Sequence, residues 1–298
     1  MKKKPLYLML ALASLLVISC TKDTVIEEEG ENLYETIAIP DEEFEKALIE
    51  LGIDTDGLVN HKMTKSKAEA VEELSIYNKS IYSLVGIEAF INLKELNIHN
   101  TILATIDLSK NLKLESVGLA ENNLSSIKGL ENALNLEEIS LSNNVLKELT
   151  LNSSSLKKIF LKNNLLNTVT LNIPGLRILS LTDNNLSSFD ASTLVNLKEL
   201  DLVRNKLEAI DVSNNLILKF LSISENSIAN LTLGKNDSLV YISSFSNNLS
   251  SLDLSNLISL DHFYLRGNPN LTCIKAGVNQ VFTTQSLSSY QELKVDCN

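Results

Sequence analysis

One apolar pattern recurs ten times along this chain, at intervals of 20 to 22 residues between Val71 and Leu271. In nine of the ten units, apolar residues stand at the first, fourth and sixth positions, as in Leu136, Ile139 and Leu141. A unit of this length is too small to bury its own apolar face, so neighbouring units must stack around one shared core. The pattern therefore predicts a solenoid, an architecture that presents a long surface.

The fourth and sixth positions of each unit alternate with mostly polar residues, which is typical of a β-strand. Successive side chains of a strand point to opposite faces, so the apolar pair enters the core. The third, fifth and seventh residues then face solvent. Stacking the strands of successive units side by side predicts one parallel ribbon.

The ninth position is asparagine in eight of the ten units. Here the chain turns inside the core, and its buried N–H and C=O groups need partners. An asparagine amide supplies both a donor and an acceptor, so we expect a structural ladder of these side chains. Lys79 and Thr101 stand at this position in the first two units, which interrupts the ladder at that end. The expected ladder consists of Asn122, Asn144, Asn164, Asn184, Asn205, Asn226, Asn247 and Asn268.

The rear of each unit takes one of two forms. Residues 87–90 and 130–133 follow Gly86 and Gly129 and have the composition of short 3₁₀ or helical turns. Several other units carry a three-residue alternation of β-forming residues, which predicts a second strand. We therefore expect β-structure on both sides of the solenoid and little helix.

At these residues the pattern resembles the leucine-rich repeat family, and the length of about 21 residues resembles most the internalin-like group of bacterial surface proteins. The resemblance implies a leucine-rich repeat solenoid, α/β by family and mostly β here. The expected fold is a right-handed superhelix of about ten repeats over residues 71–272, with a parallel β ribbon. A small helical cap over residues 37–70 and a disulfide-closed cap over residues 273–298 complete it.

The N-terminus is typical of an exported protein. Residues 1–19 combine a basic start with a mostly apolar run that is too short for a comfortable membrane span. Residues 17–20, Val-Ile-Ser-Cys, resemble a bacterial lipobox, which implies cleavage before Cys20 and lipidation of that cysteine. An ordinary signal peptide with a chance cysteine is the alternative.

Residues 20–36 are polar and acidic, and predict a flexible tether. Acidic residues at this place resemble surface-export signals of Bacteroidetes lipoproteins, although a merely solvated linker has the same composition. The resemblance implies a surface lipoprotein of the Bacteroidetes or Flavobacteria type, anchored in the outer membrane at the cell surface. Its only membrane contact would be the lipid on Cys20.

A helix is expected directly before the first repeat. Asp41 is a candidate N-cap, and Phe44, Ala47, Leu48 and Leu51 form one apolar face. This segment resembles the N-terminal caps of leucine-rich repeat proteins from Bacteroidetes. The helix is therefore expected to shield the core of the first unit.

The segment after this helix contains a turn and a second helical stretch. Ser66 and Glu69 have the spacing of a capping box, which predicts a short helix. Residues 54–57, Asp-Thr-Asp-Gly, begin like a calcium loop, but Leu58 and Lys65 stand where oxygen ligands are needed. We therefore expect a turn there and no metal site.

Cys273 and Cys297 are expected to form a disulfide, because thiols of exported proteins are oxidised. Two free thiols are the alternative. The bond would tie the end of the chain to the last repeat and close the open end of the core. The residues around both cysteines resemble the C-terminal caps of the same Bacteroidetes proteins.

The formal net charge is −11, and much of it lies in residues 21–50, which hold eleven acids and two lysines. Nucleic-acid binding needs a basic stripe, so this charge argues against a nucleic-acid partner. It also argues against electrostatic binding to an anionic membrane.

The outward-facing positions of the last three units hold a concentration of aromatic residues. Exposed aromatic side chains and arginine dominate the energetics of protein interfaces, so we expect a ligand-binding face there. The alternative is that aromatic residues stand there because they favour strands and pair across them. The candidate residues are Phe160, Phe220, Tyr241, Phe245, His262, Tyr264 and Arg266.

No pattern in the chain points to catalysis. The sequence has no nucleophile elbow, no glycine-rich phosphate loop and no His/Cys metal spacing, so we expect neither an enzyme nor a cofactor or metal. The favoured function is recognition of a protein ligand through the strand face, in adhesion or in contact with a host or neighbouring cell. A glycan-binding lipoprotein and an envelope structural lipoprotein without an external ligand are the alternatives. We expect a monomer.

Overall fold

The structure, a computed structural model, describes residues 35–297. The predicted signal peptide, residues 1–19, the lipidation site Cys20 and nearly all of the predicted tether, residues 20–36, lie outside the described residues. The described residues comprise the repeat region and the segments at its two ends.

The described chain is organised around an eleven-stranded parallel sheet, the ribbon, whose strands we number as rungs 1 to 11. The rungs stack in register, so that Ile159 pairs with Ile139 on one side and with Leu179 on the other. These three inward side chains are buried, which confirms the predicted alternation. In order, the rungs are Glu73–Tyr77, Glu95–His99, Ser116–Gly118, Glu138–Ser140, Lys158–Phe160, Ile178–Ser180, Glu199–Asp201, Phe220–Ser222, Tyr241–Ser243, His262–Tyr264 and Thr284–Ser286.

The ribbon has one rung more than the ten counted from the sequence. Rung 11 lies in the segment expected to form only a cap, and it pairs in parallel with rung 10. The first, fourth and sixth positions of this turn are Phe282, Gln285 and Leu287, which match the repeat pattern poorly, and Gln285 is exposed. Phe282 packs edge-on against Phe263, with ring centroids 4.8 Å apart, and so continues the core.

The rear of the solenoid carries short parallel strands, as predicted, in separate groups. Two 3₁₀ turns, Ile87–Ala89 and Leu130–Asn132, also lie where the composition indicated. Each turn follows a glycine with positive φ, and a Cβ on Gly129 would lie 2.2 Å from the backbone nitrogen of Ser109. The rear strands pair as Thr105–Asp107 with Ser126–Lys128, Glu148–Asn152 with Thr168–Asn172, Ala209–Asp211 with Asn230–Thr232, and Leu252–Asp253 with Cys273–Lys275 and then Glu292–Lys294.

The ninth-position asparagines bind neighbouring turns together. The Asn144 amide nitrogen donates to the carbonyl oxygens of Leu119 and Leu141, at 2.9 and 3.0 Å. Its Oδ1 accepts the N–H of Leu124 at 2.9 Å. Because Leu119 belongs to the preceding turn and Leu141 to the same turn, each amide crosses one gap between turns. Inside the core, these amides take the place of water as partners for the backbone.

The residue before the ninth position adopts a left-handed backbone conformation in every unit. Nine of the ten are not glycine, and five of those nine are Asn or Asp, which adopt this conformation more readily than other L-residues. The sharp exit from the ribbon requires it, and the amide ladder stabilises that turn. These residues are Asn78, Asn100, Glu121, Asn143, Asn163, Asp183, Arg204, Glu225, Ser246 and Gly267.

The N-terminal end contains helix α1 (Glu42–Glu50), helix α2 (Lys65–Glu69) and an antiparallel pair, Thr36–Ala38 with Lys62–Thr64. The predicted N-cap of α1 is confirmed, because Asp41 Oδ1 accepts the N–H groups of Glu43 and Phe44 at 3.0 Å. The other oxygen, Oδ2, accepts the N–H groups of Tyr82 and Ser83 at 2.8 Å. One buried carboxylate therefore joins helix α1 to the first repeat.

Two details predicted for these helices are wrong. Leu51 is 50% exposed and caps the C-terminus of α1, whereas Glu45 is fully buried. The Glu45 carboxylate accepts three backbone N–H groups from residues 60–62, and these bonds offset the cost of its burial. Helix α2 begins after Thr64 with no side-chain cap, so Ser66 lies inside the helix and forms no capping box.

The C-terminal disulfide is confirmed, with the Cα atoms of Cys273 and Cys297 5.8 Å apart. At the same end, Gln291 takes the place of a ladder asparagine, since its amide donates to the carbonyl of Leu265 at 3.0 Å. Helices of the described part of the chain lack the length and apolar content of a membrane span.

Candidate binding face on the ribbon

The outward side chains of the ribbon form columns because the rungs are in register. Phe220, Tyr241 and His262 face outward as neighbours in one column, at the third position of successive units. Tyr264 stands two residues after His262, in the next outward column. The repeat length, which the packing of the core sets, therefore determines which exposed side chains become neighbours.

Phe220, Tyr241 and Tyr264 form a diagonal row across rungs 8 to 10, which we call the aromatic strip. The ring centroids of Phe220 and Tyr241 are 6.3 Å apart, and those of Tyr241 and Tyr264 are 5.5 Å apart, both pairs tilted. Phe220 is 45% exposed, while each tyrosine is half-buried. The mutual packing holds the rings in place before any ligand arrives, which lowers the entropy lost on binding.

A hollow lies on each side of the aromatic strip. The acidic hollow, of about 370 Å³, is lined by Glu199 and Asp201 together with Phe220 and Tyr241. The arginine hollow, of about 460 Å³, is lined by Phe245, Tyr264 and Arg266 together with Ser286 and Ser288 of the eleventh turn. The two serines belong to the turn that the sequence pattern missed. The face thus presents carboxylates at one end, aromatic rings in the middle and a guanidinium at the other end.

Two predicted residues lie apart from this arrangement. The His262 Nε2 lies 3.2 Å from the Asp261 carboxylate, and so it turns toward the edge of the ribbon. Phe160 belongs to rung 5, and rungs 6 and 7 separate it from Phe220. Of the seven candidates, the structure brings together Phe220, Tyr241, Phe245, Tyr264 and Arg266.

Two serines that alternation places on the outer face are buried beneath the strip. The hydroxyl groups of Ser224 and Ser243 lie 2.8 Å apart, and the Ser224 hydroxyl accepts the N–H of Phe245 at 3.2 Å. These bonds position the backbone from which Phe245 projects. In the sequence, their burial is indicated only by a serine standing near the end of each strand in place of a larger side chain.

The opposite end of the ribbon carries a second aromatic pair. Tyr77 and His99 stack with ring centroids 5.5 Å apart and planes 7° from parallel. The His99 ring also lies over Gly118, where a Cβ would come within 2.8 Å of its Nε2. Burial lowers the pKa of His99 below its ordinary value, because the charged imidazolium loses hydration there.

Acidic and histidine side chains also occur away from the ribbon face. Within residues 35–297, no group of three His, Cys, Asp or Glu side chains is placed to hold a metal ion. Burial, followed by the nearby Asp56 charge, raises the pKa of Asp54 in the turn that begins like a calcium loop. Asp56 instead accepts the N–H of Leu58 at 2.8 Å, which closes a turn.

Comparison with known structures identifies the fold. An internalin (inlF) from Listeria monocytogenes aligns over 88% of this chain and 96% of its own, with 18% identity and a TM-score of 0.58. The chain is a leucine-rich repeat solenoid. The solved LRIM1/APL1C complex aligns over 77% of this chain and 47% of its own, with 21% identity and a TM-score of 0.55. The TLR13–ssRNA13 complex aligns over 75% and 37%, with 21% identity and a TM-score of 0.59.

At these sequence identities, structural similarity establishes the fold only. What those proteins bind is not thereby assigned to this chain. No protein-family model matches the sequence, and neither does any curated protein. Function must therefore be inferred from the surface of this chain itself.

Proposed function

We propose that this protein is an exported, lipid-anchored, non-enzymatic binding module that recognises a protein ligand through rungs 7 to 11 of its ribbon. The observation that carries the proposal is the aromatic strip between the acidic and arginine hollows. Rigid aromatic rings that are partly exposed, flanked by charges of opposite sign, have the composition of an interface centre. The opposed charges would orient the partner, since electrostatic complementarity sets orientation and specificity.

Three observations support a partner that is a protein. The strip and both hollows lie on a continuous strand surface. The LRIM1/APL1C neighbour is by its name a complex, which supports recognition of a partner by this architecture. The rings are also held by their neighbours, so binding need not order them.

Export and anchorage are further parts of the proposal. The disulfide between Cys273 and Cys297 favours an oxidising compartment, and an internalin is among the structural neighbours. The lipobox-like residues 17–20 support attachment at Cys20. Protease shaving of intact cells should remove the wild-type protein from the surface. Cys20→Ser should release it from the membrane fraction and abolish incorporation of labelled palmitate. Protection of the wild-type protein from protease would place it inside the envelope and contradict surface display.

The ligand itself can be sought with a photo-crosslinking amino acid, benzoylphenylalanine, at Tyr241 in cells that display the protein. Tyr82 is the matched control position, because it is an exposed tyrosine outside the ribbon. We expect one discrete crosslinked protein from position 241 and none from position 82. Equal crosslinking from both positions would mean that the strip does not select a partner.

The decisive measurement is the affinity of that partner for the variant Phe220→Ser/Tyr241→Ser/Tyr264→Ser. We expect the affinity to fall by at least about a hundredfold, since hot-spot residues at the centre of an interface contribute about 2 kcal/mol or more each. Unchanged affinity with an intact fold would end the proposal.

A glycan ligand is the second candidate. The arginine hollow combines two aromatic rings with Arg266, Ser286 and Ser288, groups that stack on sugar rings and bind hydroxyl groups. A glycan array separates this candidate from a protein ligand, because only a glycan-binding site retains defined sugars on the array. An envelope lipoprotein without an external ligand would give neither a crosslink nor a retained glycan.

A further inference from the structure

A column of cations runs along the edge where the chain enters the ribbon. The second position of turns 5 to 8 holds Lys157, Arg177, Lys198 and Lys219, which we call the basic edge. The N–H of Arg177 donates to the carbonyl of Lys157, that of Lys198 to Arg177, and that of Lys219 to Lys198, each at 2.8 Å. These bonds fix the four residues in one line, with neighbours about 4.8 Å apart.

The basic edge stands out against the charge of the molecule. The formal net charge is −11, and the same position in the adjoining turns is Glu137 before the column and Val240 after it. Lys157 pairs with Glu137, but none of the ion pairs found among residues 35–297 includes Arg177, Lys198 or Lys219. Like charges on adjacent strands destabilise a sheet, so this column does not serve the fold.

A groove of about 390 Å³ opens beside the column. Lys157, Arg177 and Lys198 line it together with the polar side chains of Ser154, Ser155 and Asn196. Beside this groove, turns 5 and 6 carry Ser154 and Pro174 two residues before the first apolar position. In six of the other eight turns, among them those of Leu134 and Leu216, the corresponding residue is an exposed aliphatic side chain. Hydroxyl and amide groups beside a row of cations suit a ligand that is both anionic and rich in hydroxyl groups.

The spacing of the cations and the lining of the groove together select among polyanions. An extended acidic peptide repeats its same-face side chains about every 6.6–6.8 Å, at every second residue, and so falls out of step with rungs about 4.8 Å apart. Single-stranded nucleic acids depend on base stacking against aromatic side chains, and no aromatic residue lines this groove. An acidic polysaccharide carries hydroxyl groups as well as acidic groups along its whole length, so it matches both the cations and the hydroxyl and amide groups of this groove.

We propose that the basic edge binds an anionic polysaccharide, with the acidic groups of successive sugars on Arg177, Lys198 and Lys219. The sugar hydroxyl groups would contact Ser154, Ser155 and Asn196. This surface shares no residue with the aromatic strip, and the proposal stands whether or not the strip binds a protein. It also revises the expectation, based on net charge, that the chain lacks a basic stripe.

The test uses the purified full-length chain and polygalacturonate, which carries one carboxylate per sugar, with binding measured by calorimetry at low and high salt. Neutral dextran, poly-glutamate and oligo-dT are compared with it at equal charge or mass. The variant Arg177→Ser/Lys198→Ser/Lys219→Ser removes the unpaired cations. Its matched control, Lys110→Ser/Lys128→Ser/Lys206→Ser, removes the same charge from exposed lysines outside the column.

We expect polygalacturonate to bind, to bind more weakly as salt rises, and to exceed the three comparison ligands in affinity. The column variant should bind about tenfold or more weakly than the control variant, with unchanged thermal unfolding. Absence of polygalacturonate binding at low salt would overturn the proposal. Equal losses in both variants would also overturn it, because the effect would then follow net charge alone. Tighter binding of poly-glutamate or oligo-dT would overturn the assigned class of ligand.

Discussion

Replacing Asn164 with alanine should remove a defined set of hydrogen bonds from the amide ladder. Asn164 Oδ1 accepts the N–H of Leu146 at 3.1 Å, and Nδ2 donates to the carbonyls of Leu141 and Leu161 at 2.9 and 3.1 Å. In the variant the buried N–H of Leu146 loses its partner, which costs about 1–3 kcal/mol. Each carbonyl loses one of its two bonds, at about 1 kcal/mol apiece. The free energy of unfolding should therefore fall by about 3–5 kcal/mol.

The shared carbonyl makes a sharper test. Asn184 Nδ2 donates to the same Leu161 oxygen at 3.0 Å, so either single variant leaves that oxygen with one partner. The double variant Asn164→Ala/Asn184→Ala leaves it with none. The loss in the double variant should exceed the sum of the single losses by about 1–2 kcal/mol.

Urea unfolding of the oxidised protein, followed by circular dichroism, measures these changes. Asn167→Ala is the control for asparagine removal, because that side chain is exposed, and it should change stability by less than about 0.5 kcal/mol. The pair Asn164→Ala/Asn226→Ala is the control for coupling, since Asn226 donates to Leu202 and Ile223 instead. A single loss below about 1 kcal/mol, or additivity of the adjacent pair, would refute the reasoning.

Three further outcomes are expected from the two ends of the described chain. Asp41→Ala should lower the free energy of unfolding by about 2–4 kcal/mol, because it uncaps helix α1 and leaves two N–H groups of the first repeat without partners. A loss of stability no larger than that of a surface substitution in the same urea assay would contradict this. Cys297→Ser should cost about 3.5 kcal/mol, since it opens a loop with a sequence separation of 24, and an unchanged melting temperature would contradict this. Burial lowers the pKa of His99 below 6.5, so the unfolded chain binds the proton more readily than the folded chain does. The contribution of neutral His99 to the free energy of unfolding should therefore be fully present above about pH 6.5 and be lost as the pH decreases further. His99→Asn should lack that part of the pH dependence in parallel urea titrations, and identical pH profiles would count against it.

Much of the fold followed from the sequence because the core repeats. Each inward position sees the same environment in every turn, so ten copies of a weak pattern reinforce one another. The pattern failed at rung 11, where the exposed Gln285 stands at the fourth position, because the last rung of a solenoid has a neighbouring rung on one side only. The helical periodicity of α1 likewise did not reveal that Glu45 is buried, because its burial depends on backbone N–H groups of residues 60–62, which a local pattern does not contain.

The candidate face was predicted in part, for a related reason. Columns of equal repeat position correctly placed Phe220 beside Tyr241, because backbone register alone fixes that contact. The direction of each side chain is a separate matter, and His262 turned to Asp261 instead of joining the strip. The basic edge could have been found in the same way, by reading the second position of each unit as a column.

The sequence by itself determined the repeat length and the solenoid architecture of this protein. Apolar side chains at fixed intervals can be buried together only if successive units stack on one another. Tertiary structure alone decided which polar groups meet across that stack. Asp41 and Tyr82 are 41 residues apart in sequence, yet Oδ2 of Asp41 accepts the backbone N–H of Tyr82. Such contacts depend on the path of turns that carry no repeated pattern, and on directional hydrogen bonds whose partners become neighbours only after the core has formed.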